Sequence, residues 1–309
     1  MSRSARPSIV AIIVFSLTGC AAWHTRKGIQ ALDRGATDQA VFHFEESLRY
    51  APRQATPYAQ LGTIHLQAGK YEKAIDLLRR AAYLEPRDDA ILMNLGMALE
   101  YRGDREEAAK QYLSILERDR AHAQAHYLLS RLRQRQNRFE EALQEAELAI
   151  RFAMDQEDRR RYRMSKARIH VDMEQWNEAL AEIRVLEKED PAREGLDGLK
   201  GAVLVGMGGS WEEAELLLQS AIQKKPSEMA HRINLACLFM KRKRWEEAAN
   251  QFEAVLSRGA ALPKIHSQLG ICYEAMGRTE LAKSCYEKAR QLDPTDTKAM
   301  EGLKRLEQN

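Results

Sequence analysis

Alanine recurs along the chain at a step of about 34 residues, and the apolar and polar positions around it keep the same step. The gaps are 34, 34, 34, 37, 35, 34 and 34 residues, and the alanines are Ala40, Ala74, Ala108, Ala142, Ala179, Ala214, Ala248 and Ala282. A fixed period of roughly 20 to 50 residues is typical of repeat proteins, in which each unit is one supersecondary element. The pattern therefore predicts about eight consecutive units.

Each predicted unit contains two helices joined by a tight turn. With the alanine numbered as position 20, a small residue stands at position 8, and a proline often stands at position 32. Small residues at positions 8 and 20 allow two antiparallel helices to approach closely, and proline separates one unit from the next. Glycine or asparagine near position 15 ends the first helix in the left-handed conformation. The predicted turn residues are Gly35, Gly69, Gly103, Asn137, Gly209 and Gly277.

Aromatic and acidic residues mark the start of the second helix. Position 17 is aromatic in five units, at Tyr71, Phe139, Trp176, Trp211 and Trp245. We interpret these side chains as packing residues between units. Acidic residues follow, as in Glu106-Glu107 and Glu246-Glu247, where carboxylates suit the positive end of a helix.

These residues together resemble the tetratricopeptide repeat family. The match is most specific in the second unit, at Tyr58, Leu61, Gly62, Gly69, Tyr71, Ala74, Ala81 and Pro86. The resemblance implies an all-α fold, a right-handed α-solenoid of about eight helical hairpins in a single domain over residues 20–309. The repeats would start near residues 21, 55, 89, 123, 160, 195, 229 and 263, with a capping helix over 297–309. Lys166 and Gly201 stand where leucine is usual, which predicts irregular first helices in the fifth and sixth repeats.

The amino terminus resembles a bacterial lipoprotein signal. Arg3 and Arg6 precede an apolar run over residues 9–17, which is too short to span a bilayer comfortably. The run ends in Leu17-Thr18-Gly19-Cys20, which is similar to a lipobox. The resemblance implies a signal peptide over residues 1–19, cleavage before Cys20 and acylation of that cysteine. The alternative is an ordinary cysteine after a short membrane anchor.

The residues after Cys20 bear on location. Several acyl chains anchor a protein stably, whereas one chain holds it only marginally. Ala21 and Ala22 follow, and not aspartate, which by resemblance to sorted lipoproteins favours the periplasmic face of the outer membrane. Trp23 is expected either to lie at the membrane interface or to pack at the start of the first helix.

Composition and motifs favour binding over chemistry. The formal net charge is +3, and it falls to +1 when Arg3 and Arg6 are removed, so charge gives no argument for nucleic acid. Neither an HExxH nor a CxxC motif occurs. We therefore expect no enzyme activity, metal or cofactor. Buried thiols are the favoured interpretation of Cys237, Cys272 and Cys285, with a Cys272–Cys285 disulfide as the alternative.

By resemblance, positions 2, 5, 9 and 12 of the first helices line a concave face that binds partners. This predicts an apolar surface in the second and third repeats, at Thr56, Thr63, Met93 and Met97. It also predicts a basic surface in the fourth and fifth repeats, at Tyr127, Arg131, Arg161, Met164 and Arg168, with Arg135 beside them. Arginine and tyrosine are enriched at binding hot spots. The alternative is that these arginines form solvated helix faces.

The leading hypothesis is a membrane-anchored, non-enzymatic adaptor that binds an envelope protein or peptide. Similar lipoproteins include pilus secretin pilotins, polysaccharide-export scaffolds and adaptors for cell-wall hydrolases, and the sequence does not choose among them. The alternative function is direct binding of an anionic polymer by the basic repeats, which salt would weaken. Self-association through the groove also stays open.

Overall fold

The structure is a computed structural model that describes the backbone of residues 9–259 and 262–308, with side chains from residue 18 onward in those ranges. Arg3 and Arg6 of the predicted signal lie outside the described residues. The described chain contains 17 helices and no strand, so the predicted all-α class is confirmed. It divides into two compact units at Tyr162–Arg163.

The first unit is a row of antiparallel helical hairpins. Its helices are α1 (Ile9–Asp33), α2 (Thr37–Tyr50), α3 (Ala55–Gln67), α4 (Tyr71–Leu84), α5 (Asp89–Arg102), α6 (Arg105–Arg118), α7 (Ala123–Arg135) and α8 (Phe139–Phe152). A further helix, α9 (Gln156–Asp172), begins in the first unit and continues into the second. Each helix from α1 to α7 packs against the helix that follows it.

The second unit has the same organisation. After α9 come α10 (Trp176–Glu189), α11 (Leu196–Met207), α12 (Trp211–Lys224), α13 (Met229–Lys241), α14 (Trp245–Leu256), α15 (Pro263–Ala275), α16 (Thr279–Leu292) and α17 (Thr297–Gln308). First helices begin within one residue of the predicted starts in the second, third, fourth, sixth, seventh and eighth repeats. In the fifth repeat, α9 begins at Gln156, four residues before the predicted start.

The turns between paired helices adopt the left-handed conformation that the sequence predicts at five positions. Gly35, Gly69, Gly103, Asn137 and Gly277 all have positive φ. In the sixth repeat the turn is where the sequence predicts it, but the left-handed cap is Gly208, one residue before Gly209, with φ of 77°, and Ser210 also has a positive φ of 50°. Glu174 and Lys243 occupy the equivalent turn position in the fifth and seventh repeats with φ of 56° and 58°.

Small residues at position 8 face a large side chain of the second helix. A Cβ added at Gly96 would lie 2.4 Å from Cε1 of Tyr112, which is fully buried. Gly270 faces Tyr286 in the same way, at 2.6 Å. In the fourth repeat Ser130 replaces glycine, and its hydroxyl donates to the Ala142 carbonyl at 2.7 Å. The close helix approach predicted from the small residues is therefore present.

The prediction of irregular first helices in the fifth and sixth repeats is wrong. Both α9 and α11 are uninterrupted α-helices. Lys166 lies in α9 with its ammonium 3.0 Å from Oε1 of Glu182, so the charge is partnered across the hairpin. Gly201 brings α11 close to Leu218, whose Cγ would lie 2.7 Å from an added Cβ.

Four of the acidic residues at position 18 contact the next repeat. Each accepts from a side chain 30 to 32 residues further on. The four pairs are Glu72–Arg102 at 2.9 Å, Glu106–Gln136 at 3.1 Å, Glu212–Arg242 at 2.5 Å and Glu246–Arg278 at 2.9 Å. These inter-repeat pairs add a second role to the helix-end interaction predicted for the carboxylates.

The first helix is longer than predicted. α1 runs from Ile9 through Cys20 to Asp33, whereas the sequence predicts its start near residue 21. Across the described residues, no helix combines the length and apolar character that crossing a membrane requires.

Candidate functional site

Cys20, the predicted lipidation residue, is exposed within α1. The next turn of this helix is fixed to the first hairpin. The Ser47 hydroxyl of α2 donates to the Ala21 carbonyl at 2.9 Å and lies 2.7 Å from the Thr25 hydroxyl. Ala21 itself is fully buried. The folded repeat therefore begins one residue after the cysteine.

The residues of the predicted apolar surface lie on α3 and α5. Thr56 is exposed, whereas Thr63, Met93 and Met97 are half-buried. The Thr63 hydroxyl donates to the Ala59 carbonyl at 2.9 Å and accepts from Nδ2 of Asn94 at 3.0 Å, so its polar atom is already satisfied. Met93 and Met97 pack against the core of the first unit, which leaves only part of each side chain for a partner.

The basic surface of the first unit is an alternation of arginine and tyrosine side chains. We call it the arginine–tyrosine cluster, and its members are Tyr101, Tyr127, Arg131, Arg135, Arg161 and Tyr162. The guanidinium of Arg135 lies 5.5 Å from the ring centroid of Tyr101. That of Arg131 lies 5.7 Å from the ring centroid of Tyr127. Both distances are within the range of attractive cation–π interactions.

Arg161 joins two of the rings. Its guanidinium lies 5.3 Å from the centroid of Tyr127 and 5.2 Å from that of Tyr162. The two tyrosine rings are themselves 4.8 Å apart. Helices α5, α7 and α9 each supply members of the cluster, and all three are first helices of repeats, as the resemblance implies for a partner-binding face.

Two of the three arginines have carboxylate partners. Arg135 lies 2.7 Å from Oε1 of Glu100, whose side chain is only 3% exposed. Arg161 pairs with Asp158 of its own helix. Arg131 has no carboxylate within ion-pair distance in the described part of the chain. Arg131 therefore carries the least compensated charge of the cluster.

The neighbours of Arg131 keep it charged. Burial opposes the charged form, but Tyr127, Glu100 and Tyr101 outweigh it and raise the pKa of Arg131 above its ordinary value. Burial likewise opposes charge on Arg161, and Tyr162 and Asp158 raise its pKa. Both groups are cations at any physiological pH.

The remaining two residues of the predicted basic surface belong to the second unit. Met164 is 5% exposed and packs in a core cluster with Ala167 and Ile183. Because its side chain is buried, Met164 is not part of the partner-binding surface that the sequence predicts. Arg168 is exposed and lines a cleft of about 400 Å³ together with His231 and Asn234. Its role in binding stays a prediction.

Three residues of this site were not predicted from the sequence. Tyr101 and Tyr162 complete the aromatic faces, and Glu100 supplies the buried countercharge of Arg135. A signal for Tyr101 was present, since Arg135 lies 34 residues after it and therefore at the same position of the next repeat. Adjacent repeats place such residues side by side.

The thiols of the second unit are poor nucleophiles. Burial raises the pKa of Cys272 to about 12 and that of Cys285 to about 11, so both stay protonated. The structure leaves both as free thiols. Within the described ranges, no group of three His, Cys, Asp or Glu residues could hold a metal ion.

Comparison with known families decides the relationship. Three tetratricopeptide repeat models match the chain, over residues 31–97, 93–157 and 263–296. This is a tetratricopeptide repeat protein. Proteins of this family are in general non-catalytic scaffolds that bind protein partners in a groove, and this tetratricopeptide repeat protein is accordingly a scaffold for protein–protein interaction.

Relatives of this tetratricopeptide repeat protein differ widely. It is 27% identical over 93 residues to superkiller protein 3 of Schizosaccharomyces pombe. The aligned residues make up 30% of this chain and 7% of that relative. It is 30% identical over 81 residues to the photosystem I assembly protein Ycf3 of Prochlorococcus marinus, covering 25% of this chain and 47% of the relative. The chain thus spans less than half of either relative.

A solved structure supports the fold of the tetratricopeptide repeat protein. The crystal structure of the APC/C hetero-tetramer Cut9–Hcn1 aligns with a TM-score of 0.71 and 14% identity, covering 89% of this chain and 55% of the other. At this identity the likeness shows the fold alone. The predicted α-solenoid class is therefore confirmed.

Proposed function

We propose that this protein is a lipid-anchored adaptor on the periplasmic face of a bacterial outer membrane, where it binds an envelope protein through an acidic peptide segment. Lipid anchoring is supported by the basic residues, short apolar run and Leu17-Thr18-Gly19-Cys20 motif, together with the exposure of Cys20. The scaffold architecture supports a role in assembly rather than in chemistry.

The arginine–tyrosine cluster is the observation that carries peptide binding. Its rings are held by cation–π contacts to arginines, so they are ordered before a partner arrives, which reduces the entropic cost of binding. Arg131 offers a cation without a carboxylate partner in the described chain, and flanking tyrosines offer apolar area. A peptide that presents a carboxylate next to an aromatic or aliphatic side chain fits both features.

The charges of the cluster favour a peptide over an anionic polymer. Glu100 and Asp158 neutralise two of the three arginines, so little uncompensated positive charge remains. A polymer with many anionic groups needs a row of free cations, whereas a single peptide carboxylate needs one. Binding to the protein should accordingly weaken only moderately as salt is raised.

Capture of the partner from crosslinked envelopes tests this function. The chain is compared with Arg131→Ala/Arg161→Ala and with a matched control, Arg53→Ala/Arg80→Ala. The control removes two arginines, both exposed, at a cleft lined by the rings of Tyr58 and Tyr83. We expect a discrete partner to be captured by the unchanged chain and the control and lost by the cluster variant. Equal capture by all three would refute binding at the cluster.

Lipid anchoring is tested separately. Expression of the full chain in bacteria, followed by intact-mass measurement, should show a protein that begins at residue 20 and carries acyl chains. Cys20→Ala should keep residues 1–19 and lack the acyl mass. An unacylated mature protein from the unchanged gene would refute the anchor and leave the peptide-binding proposal standing.

A further inference from the structure

The first helical hairpin carries exposed aromatic side chains on its surface. Trp23 is 53% exposed, Phe42 56% and Tyr50 37%. They form one continuous patch with two histidines, and we call the five residues Trp23, His24, Phe42, His43 and Tyr50 the aromatic patch. Large apolar side chains that are exposed together mark an interaction surface more often than single ones do.

The rings of the patch contact one another. The Trp23 ring lies edge-on to the His24 and His43 rings, with centroids 4.8 and 5.8 Å away. His24 stacks on Tyr50 at 5.6 Å, and the Phe42 centroid is 5.3 Å from that of His43. The exposed rings are therefore held as a surface by their neighbours.

Helical geometry places the patch beside Cys20. Residues three, four and seven positions apart share one face of an α-helix. Cys20, Trp23, His24 and Lys27 have this spacing within α1. Acyl chains attached to the Cys20 thiol would leave the helix on the face that carries the Trp23 and His24 rings.

The charges of α1 suit an anionic surface. Between Cys20 and Leu32 the helix contains Arg26 and Lys27 and no acidic residue. The Lys27 ammonium lies 5.7 Å from the centroid of the Trp23 ring. On α2, Glu46 is paired with Arg49 at 2.7 Å, and Asp38 and Glu45 are the other acidic residues of that helix. Basic residues beside exposed aromatic rings are typical of helices that lie in a membrane interface.

Hydrogen bonds fix the position of the aromatic patch relative to Cys20. Ser47 of α2 bonds the Ala21 carbonyl directly after Cys20, and Thr25 contacts the same hydroxyl. No flexible segment separates Cys20 from the patch, so lipid on this cysteine would hold the rings at the depth of the headgroups.

We propose that the aromatic patch is a membrane-contact surface, in which Trp23, Phe42 and Tyr50 lie among phospholipid headgroups beside the acylated Cys20. The location rests on the lipid anchoring proposed above. Tryptophan and tyrosine are favoured at this depth because one part of the ring is apolar and another polar. The other three tryptophans, Trp176, Trp211 and Trp245, are half-buried in the second unit, which distinguishes Trp23 from them.

Vesicle binding without acyl chains tests the surface itself. The protein is residues 20–309 with Cys20→Ser, the form that the proposed cleavage produces, and the vesicles contain phosphatidylethanolamine and phosphatidylglycerol. We expect Trp23→Ala/Phe42→Ala to bind at least about tenfold more weakly, because two large apolar side chains lose their transfer free energy. The matched control Tyr83→Ala/Met154→Ala, which removes side chains 86% and 96% exposed elsewhere, should bind unchanged.

Fluorescence quenching measures the depth of the ring. Lipids brominated near the headgroup should quench part of the tryptophan emission of the parent protein. Trp23→Phe, which keeps an aromatic ring, should retain vesicle binding and lose that quenched part. Circular dichroism verifies that each variant is folded.

Three results would overturn the proposal. They are failure of the parent protein to bind vesicles, equal binding by the patch and control variants, and quenching that Trp23→Phe leaves unchanged. Loss of an envelope protein partner by the patch variant, with vesicle binding intact, would assign the patch to a protein instead. None of these results depends on acylation, which the intact-mass measurement decides on its own.

Discussion

Gly96 and Tyr112 show how a single hydrogen atom sets the distance between paired helices. The tyrosine ring occupies the space in which any other residue at position 96 would place its Cβ, and the ring is fully buried. Gly28 faces Phe44 and Gly270 faces Tyr286 in the same arrangement. Because a buried ring has no free volume to move into, the glycine is required by packing and not by its backbone angles.

Gly96→Ala should therefore lower the free energy of unfolding by about 1–3 kcal/mol, since the methyl group overlaps the Tyr112 ring. Urea denaturation followed by circular dichroism measures the change. Gly209→Ala is the control, because Gly209 has no positive φ and no neighbouring side chain or distant backbone atom lies within 4 Å of the new methyl group. Equal stability of the two variants would show that α5 and α6 can separate without cost.

His126 connects stability to pH. One ring nitrogen lies 2.6 Å from Oε2 of Glu145 and the other 3.0 Å from the Arg120 carbonyl. Burial opposes the charged ring, but the hydrogen bonds to Glu145 and the carbonyl outweigh it and raise the pKa of His126 above its ordinary value of 6.5. Both acceptors favour a doubly protonated imidazolium.

A raised folded-state pKa stabilises the protein fully below pH 6.5, and this contribution is lost as pH rises through the folded-state value. The melting temperature of the unchanged protein should thus exceed that of His126→Gln most at about pH 5.5 and least at about pH 8.5. Glu145→Gln should remove most of this pH dependence. A difference in melting temperature that grows as pH rises would contradict the raised pKa of His126.

At the scale of helices, sequence predicted most of the architecture because the same physical requirement recurs in each repeat. The start of each helix could be predicted from the small residues at positions 8 and 20 and from the turn residue between them. The left-handed turns at Glu174 and Lys243 were not predicted, because neither residue type favours a positive φ. The neighbouring helices impose this conformation. The early start of α9 was not predicted, because the sequence does not indicate which helix is extended by the insertion of three residues before Ala179.

The inter-repeat pairs are the second contribution at this scale. Glu246 and Arg278 lie 2.9 Å apart, with side chains 58% and 46% exposed. Exchanging one charge, as Glu246→Arg or Arg278→Glu, should lower the unfolding free energy by about 0.5 kcal/mol. The double exchange should recover most of that loss, and high salt should reduce the coupling. A double variant that is no more stable than the singles would show that the pair contributes nothing.

At the scale of the molecule, α17 closes the second unit. Ala299 and Leu303 are buried in a core cluster with Tyr286 and Cys272. Arg305 fixes the helix to Glu274 at 2.8 Å. A solenoid needs such a terminal helix because its last repeat otherwise leaves an apolar face in water.

Leu303→Asp should therefore destabilise the protein by more than about 2 kcal/mol, because it places a charge in that core. It should also promote aggregation, which light scattering on heating detects. The neighbouring control Lys304→Asp changes an exposed residue and should leave both quantities nearly unchanged. Similar behaviour of the two variants would mean that α17 does not cover the core in solution.

The candidate site was predicted less completely than the fold. Sequence located Tyr127, Arg131 and Arg161 by their positions in the repeat, and Arg135 as a neighbour of these residues. It could not show that Glu100 would be buried beside Arg135, since a carboxylate at that position is ordinarily solvated. It also could not show that Met164 would be buried, because the side from which a neighbouring element covers a helix is decided by tertiary packing.

The four inter-repeat pairs bear on how such a chain can change in evolution. In each pair a carboxylate of one repeat accepts a hydrogen bond from an arginine or glutamine of the next repeat, 30 to 32 residues later. Gain or loss of one whole 34-residue unit would present an equivalent donor to the same carboxylate. Duplication and deletion of complete repeats are therefore tolerated by this surface, whereas an insertion of a few residues between a carboxylate and its donor would separate that one pair; the pairs Glu212–Arg242 and Glu246–Arg278 are both formed beyond the three-residue insertion before Ala179.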